Sequence, residues 1–401
     1  MAHTPSVLQH AAPQGSAASA HLPALDGVRG IAILWVMLHN LSLLEATRGS
    51  GPLMHLFIDV IDAGWAGVTL FFALSGFLIT GILLDSRNQP GYYRNFFARR
   101  MLRIFPLYYG VLLVAFVLMP VLTTLPPHLA ADQPHQVWLW TYLSNWSLPY
   151  GIADKTFPHF WSLAVEEQFY LLWPFLVRSR DPKAVLRLGT GLAAASLVIR
   201  VAMLAAGASL ESLYSFSVSR MDALALGGAA AAALRMPGWR AWVAARASRL
   251  LAGSAAIFAA SFVAFHALRR LDPMTQTLGY TVLAIGCAML MLGLAGAEVA
   301  GSYSGWMRLW RAAPLRMLAK YSYGMYVFHK IVGDAFGKPW MRSHGDAVMR
   351  SLPAHLLYIA LAMAASLVVA MLSYHLVEKR FLQLKPLFAN RGSALAPVAL
   401  P

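Results

Sequence analysis

The chain has 401 residues, of which 58% are hydrophobic and only 12% charged, and its mean hydropathy is +0.57. A soluble domain cannot hide that much apolar surface, and apolar runs of roughly 18 to 23 residues are too unbroken for the alternating strands of a membrane barrel. The formal charge of +15 sits in short basic clusters between apolar runs, as membrane topology requires; this excludes a nucleic-acid partner and leaves an all-α polytopic membrane protein.

Residues 1–21 lack the basic start and apolar core of a secretory signal and read as a disordered cytoplasmic tail. Ten spans are then predicted in chain order, at Val28 to Leu44, Trp65 to Leu84, Ile104 to Val121, Phe160 to Val177, Val185 to Ala205, Met221 to Leu234, Leu250 to His266, Leu278 to Ala297, Tyr321 to Phe336 and His355 to Val377. The sixth and ninth are the shortest and most polar. "VWLWTYLSNWSLPY", from Val137 to Tyr150, is too short to cross and reads as an interfacial or re-entrant segment. One membrane domain therefore fills residues 22–387, and residues 388–401 form a second cytoplasmic tail.

Ten spans place the basic clusters Arg87 to Arg103, Arg178 to Arg187, Arg235 to Arg249, Arg308 to Lys320 and Lys379 to Arg391 on one side. The other side receives fewer than half as many cations. The positive-inside rule then puts both termini in the cytoplasm. Cys287, the single cysteine, excludes an internal disulfide and a cysteine-based metal site, and no metal or permanently bound cofactor is expected.

A charged group inside a spanning helix costs about 2.5 to 3.5 kcal/mol on insertion scales, so each one is a candidate site residue. The candidates are Asp26, Arg29, His39, Glu166, Glu167, Arg220, Asp222, His329, His375 and Glu378. A straight helix raises His39 about 15 Å above Arg29. An arginine at the cytoplasmic entry can hold an anionic ligand, and an imidazole near mid-membrane can act as general base for a hydroxyl; the plainer alternative is a helix-packing histidine. Glu166 and Glu167 are about 100° apart around their helix and are not expected to face the same partner. As adjacent buried acids they suit a proton carrier or a hydroxyl ligand, with an ion pair to Arg220 as the alternative. Arg94, Arg99, Arg100 and Arg103 are interleaved with aromatics in "RNFFARRMLRIFPLYY". Topology explains such a cluster, and guanidinium groups at a pocket mouth also hold phosphates bidentately.

Seven blocks in order, "LDGVRGIAILWVMLHN", "FFALSGFLIT", "RRMLRIFPLYY", "FWSLAVEEQFYLLWP", "SRMDALALGG", "YSYGMYVFH" and "SYHLVEKRF", resemble the bacterial acyltransferase-3 family of integral-membrane O-acyltransferases. The resemblance implies about ten helices in the bacterial cytoplasmic membrane and a cytoplasmic acyl-CoA co-substrate, most often acetyl-CoA. It also implies transfer of the acyl group to a hydroxyl of an extracytoplasmic or lipid-linked glycan or glycoside. The family's first-helix arginine and histidine correspond to Arg29 and His39, and its paired loop arginines to Arg100 and Arg103. The family pattern has ten residues between that arginine and histidine, whereas nine intervene here and Asn40 takes the expected place. On an ideal helix this turns His39 by about 80° from Arg29, a displacement that a local bulge would restore. Many members carry a soluble hydrolase-like domain after the bundle; this chain ends at Pro401 without one, so the expectation is direct transfer or delivery to a separate periplasmic acyl-transfer protein.

The expected mechanism docks the donor phosphates on Arg99, Arg100 and Arg103 with Arg29 assisting, and brings the thioester up to His39. His39 deprotonates the acceptor hydroxyl or carries the acyl group, while Glu166 and Glu167 orient it or bind sugar hydroxyls. A rival class is a transporter or flippase of a lipid-linked sugar, with His39 and the glutamates as a proton relay. The block-by-block resemblance and the lack of an inverted repeat favour the transferase.

Overall fold

The computed structural model describes residues 22–44, 51–147, 151–152, 154–302, 305–343 and 351–388. The tails expected at 1–21 and 389–401 lie outside these residues. Every regular element among the described residues is helical. Ten helices of 17 residues or more form the body: α1 Pro23–Leu41, α2 Ala66–Ser86, α3 Tyr92–Leu113, α4 Phe160–Arg178, α5 Pro182–Ala205, α6 Ser217–Ala233, α7 Ala247–Ala264, α8 Tyr280–Val299, α9 Ala313–Val332 and α10 Leu352–Ser373.

Among the described residues, seven segments are long and apolar enough to cross a membrane: Pro23–Leu41, Pro52–Ser86, Tyr92–Leu122, Pro182–Ala205, Ala247–Ala264, Thr275–Val299 and Leu352–Leu382. The remaining three expected spans are helices, α4, α6 and α9, but do not meet that requirement. The physical reason is the chemistry they carry. Glu166, Glu167 and Gln168 interrupt α4, α6 is only 17 residues long, and Arg316, Lys320 and Lys330 punctuate α9.

α6 packs against α2, α5 and α8, while α1 packs against α2 and α9. Small residues set these approaches. A Cβ on Gly76 would lie 1.9 Å from the Leu224 carbonyl oxygen, and one on Gly30 would lie 2.3 Å from that of Leu315. Only glycine permits the α2–α6 and α1–α9 backbones to meet this closely, the packing that membrane helices use where lipid supplies no hydrophobic drive. α5, α7 and α10 turn Val198, Val263, Leu361 and Leu372 outward. Such bare apolar faces suit hydrocarbon, not water.

One buried ion pair holds the α5–α6 contact: Arg200 Nη1 lies 3.0 Å from Asp222 Oδ2, and Arg200 also bonds the Ser219 carbonyl and Thr281 Oγ1. Arg220, by contrast, does not pair with the glutamates of α4. It donates to Thr69 Oγ1 at 3.2 Å and lies among the rings of Trp65, Phe72, Trp161, Tyr214 and Tyr280, the nearest at 4.2 Å. Cation–π contact replaces the ion pair there.

The segment expected to lie at the interface is short and irregular through its described part. A turn of helix at Val137–Trp140 and a 3-10 turn at Ser144–Trp146 flank Tyr142, whose φ is +55°. Stacking on Tyr108 at 4.1 Å and a 2.7 Å hydrogen bond from Gln168 Nε2 to the Tyr142 carbonyl hold that unfavourable backbone in place.

Candidate active site

Five helices line one open cavity of about 100 Å³. α1 contributes Arg29; α2 contributes Val68, Phe71, Phe72 and Ser75; α3 contributes Arg100, Arg103 and Ile104. From α4 come Ser162, Leu163, Glu166, Glu167 and Tyr170, and from α9 come Ser322, Tyr323 and Tyr326. Steps of three and four residues recur along α2, α3, α4 and α9, so each of these presents one stripe to the space.

Three guanidinium groups and two carboxyl groups therefore share a wall otherwise made of aromatic, hydroxyl and aliphatic side chains. Ser75 Oγ donates to Glu166 Oε1 at 2.9 Å, and the Arg100 guanidinium lies 5.1 Å from the centre of the Tyr170 ring. Tyr323 donates from its hydroxyl to the Ile104 carbonyl at 2.9 Å, bracing α9 against the basic helix α3. Ser162 and Tyr326 share a 2.6 Å hydroxyl contact, and Tyr326 also donates to the His159 carbonyl at 3.0 Å. In a low-dielectric site these fixed dipoles and charges act more strongly than in water.

The expected site residues divide. Arg29, Arg100, Arg103, Glu166 and Glu167 come together on the cavity wall; His39 and Arg99 are not on it. α1 is uninterrupted α-helix from Pro23 to Leu41. No bulge resets its phase, so the displacement of about 80° between Arg29 and His39 stands. His39 packs instead against the 3-10 turn Ala63–Trp65, where a Cβ on Gly64 would lie 2.8 Å from its own Cβ, and its Nδ1 is buried without a hydrogen-bond partner. Arg99 is half-buried beside the wall, and its Nε likewise has no partner.

The glutamates were expected to face different partners, and both line the same space. Glu166 meets Ser75 on α2, while Glu167 is the electrostatic neighbour of Tyr108, Tyr142 and Tyr323 on the opposite flank. Among the other candidates, Asp222 is the partner of Arg200, and His375 Nε2 lies 3.3 Å from the Tyr321 hydroxyl. His329 Nδ1 bonds the Tyr326 carbonyl at 2.7 Å, and its ring lies 4.9 Å from that of His159.

Sequence reasoning missed Ser75, Ser162, Tyr170, Tyr323 and Tyr326. Uncharged hydroxyl residues cost little in a helix and raise no flag, although Ser75 and the α9 tyrosines fall inside "FFALSGFLIT" and "YSYGMYVFH". Their spacing within those blocks, three or four residues from another wall residue, was the available signal.

The profile of a family described as an acyltransferase domain matches residues 22–375, a stretch that contains the whole cavity wall. The chain belongs to the acyltransferase-3 family. Peptidoglycan O-acetyltransferase OatA of Listeria monocytogenes serovar 1/2a is 26% identical over 375 residues, covering 89% of this chain and 55% of that protein. O-acetyltransferase OatA of Staphylococcus aureus strain NCTC 8325 is 30% identical over 167 residues, covering 39% of this chain and 25% of that one. The chain spans about half the length of the curated relatives it matches over most of its own. No solved structure matches it. Within this acyltransferase-3 chain, Arg29, Arg100 and Arg103 are the expected site cations that the fold gathers on one cavity wall.

Proposed function

We propose that this protein is a membrane O-acetyltransferase that takes an acetyl group from cytoplasmic acetyl-CoA and places it on a hydroxyl of a cell-surface glycan. The observation that carries the reading is the convergence of Arg29, Arg100 and Arg103 with Glu166 and Glu167 in one cavity of a chain belonging to an acyltransferase family. Guanidinium forks suit the phosphates of a nucleotide-bearing thioester, whose pantetheine arm then lies along Phe71 and Phe72. The names of the relatives favour a glycan acceptor such as peptidoglycan.

In the transfer, the acceptor oxygen attacks the thioester carbonyl, the C–S bond breaks, and the hydroxyl proton passes to a base while the thiolate leaves. A carboxylate at Glu166, oriented by Ser75, supports proton transfer inside the cavity. His39 stands off the wall, about 15 Å along the α1 axis from Arg29, and serves the acceptor side, where the hydroxyl is deprotonated or the acyl group is carried onward. The onward route is direct or through a separate periplasmic acyl-transfer protein.

This reading carries a topology: α4, α6 and α9 cross with the seven apolar segments, giving ten spans and two cytoplasmic termini in the bacterial cytoplasmic membrane. Helices surrounded by other helices need less hydrophobicity than lipid-facing ones, because their polar groups find protein partners.

Membranes carrying the wild type, R103A, E166Q or H39A, incubated with radiolabelled acetyl-CoA and the host's surface glycan, test the proposal. Label enters glycan with the wild type and drops at least tenfold in each variant. Acetylation unchanged in R103A and E166Q would remove the cavity from the mechanism, and glycan that crosses the membrane unlabelled would identify a transporter.

A further inference from the structure

Beyond the last apolar segment, residues 383–388 stay against the bundle. The short helix Lys379–Leu382 and the 3-10 turn Lys385–Phe388 fold back onto α3, the helix that carries Arg99, Arg100 and Arg103. Lys385 opens that turn, half-buried, and its strongest electrostatic neighbours are Arg103, Arg100, Arg99 and Arg29, in that order. Five cations from three parts of the chain are thus held within reach of one another.

Mutual repulsion of this kind is costly unless a polyanion completes it. The carboxylates nearby are already directed at the wall arginines: Asp26 acts on Arg29 from one turn earlier in α1, Glu166 on Arg100 and Arg29, Glu167 on Arg100, and Glu378 on Arg103. The arrangement also has depth. Arg29, Arg100 and Arg103 line the cavity, while Lys385 and Arg99 stand outside its wall. Arg99 further holds a buried Nε with no hydrogen-bond partner.

We propose that Lys385, together with Arg99, binds the terminal 3′-phosphate of the coenzyme A nucleotide, so that the C-terminal turn acts as a clasp over the donor while the three wall arginines take the diphosphate. The inference rests on the acyl-CoA reading above. It follows from the two tiers of cations, since coenzyme A carries two separate phosphate groups, a diphosphate and a monophosphate.

The site has a built-in pH response. Burial, followed by the charges of Arg103, Arg100, Arg99 and Arg29, pushes the Lys385 ammonium down to about 7. Above that pH the free protein loses one of its five cations. The 3′-phosphate becomes more anionic over the same range, with its second ionisation near 6, and opposes the effect. A Lys385→Arg variant, always charged, separates the two.

The experiment measures binding of coenzyme A and of dephospho-coenzyme A, which lacks only the 3′-phosphate, to the full chain in lipid nanodiscs at pH 6 and pH 8. The expected result is that Lys385→Gln weakens coenzyme A about tenfold, the size of one charge-assisted contact, and leaves dephospho-coenzyme A within about twofold of wild type. K385R retains tight binding at both pH values, whereas the wild-type preference for coenzyme A over the dephospho form shrinks at pH 8. Equal weakening of both ligands in K385Q, or no weakening of either, overturns the assignment of Lys385. Failure of the wild type to bind either ligand overturns the acyl-CoA reading itself.

Discussion

The Ser75 hydroxyl donates a 2.9 Å hydrogen bond to Glu166 Oε1, joining α2 to α4 at the cavity wall. Tyr170 is a second hydrogen-bonding neighbour of the same carboxyl group. Removing the donor in Ser75→Ala frees the carboxylate to rotate while leaving the helix packing intact. The expected outcome is a fall in kcat of about ten- to a hundredfold, the worth of one hydrogen bond to a charged group, with KM for acetyl-CoA unchanged. Combined with E166Q, the Ser75→Ala change should add nothing further. Steady-state transfer kinetics of the two single variants and the double variant check the coupling.

Arg100 is placed between the ring of Tyr170 at 5.1 Å and that of Phe96 at 6.0 Å. A planar guanidinium stacks there and still offers a fork to phosphate, which an ammonium cannot reproduce. Arg100→Lys is therefore expected to raise KM for the donor about tenfold despite conserving charge, and Tyr170→Leu to raise it by a smaller factor. A donor titration in the radiolabel assay decides; unchanged KM in R100K would show that charge alone matters.

The Arg200–Asp222 pair is wholly enclosed, with side-chain exposures of 0% and 2%. Removal of one partner strands the other's charge, so Asp222→Asn should destabilise by about 3 to 5 kcal/mol. The isosteric pair Arg200→Met with Asp222→Leu should recover much of that loss. Thermal unfolding in detergent compares them, and a melting temperature for D222N equal to wild type would mean that the pair does not hold α5 to α6.

Asp154 lies in the loop before α4, where its Oδ1 accepts from Thr156 N at 3.0 Å and Phe157 N at 2.8 Å. Burial, together with the charge of Asp132, raises its carboxyl to about 7. The folded state thus keeps a proton that the unfolded chain has released near pH 4. Stability must then fall as pH rises between roughly 4 and 7, because the native state binds more protons there. Asp154→Asn keeps the accepting oxygen and removes the titration. Its melting temperature is expected to vary less across that range and to exceed wild type at pH 8, measured by differential scanning fluorimetry.

Much of the fold was legible in the linear chain because the bilayer imposes a strict code. Apolar length marks a helix, basic flanks mark its ends, and a charge inside an apolar run marks a residue with a reason to be there. Arg29, Glu166 and Glu167 stood out for that reason, Arg100 and Arg103 as part of a basic cluster at a helix end, and the family blocks around them identified the class of protein. α4, α6 and α9 are full helices that fall short of the length and apolarity of the other seven segments: polar side chains break the apolar run of α4 and α9, and α6 has only 17 residues.

What the sequence determined by itself was the all-helical membrane body, the family and the set of costly charges, since these follow from local composition and from blocks read in order. Tertiary structure alone decided which charges meet. Asp222 was taken by Arg200, Arg220 by an aromatic cage, and Ser75, Tyr323 and Tyr326 joined the wall without any charge to announce them. It also decided that His39 turns away from the cavity, because the phase of an unbroken helix is fixed by its backbone, whereas the identity of the neighbour it then faces depends on how closely α1, α2 and α9 pack through their glycines.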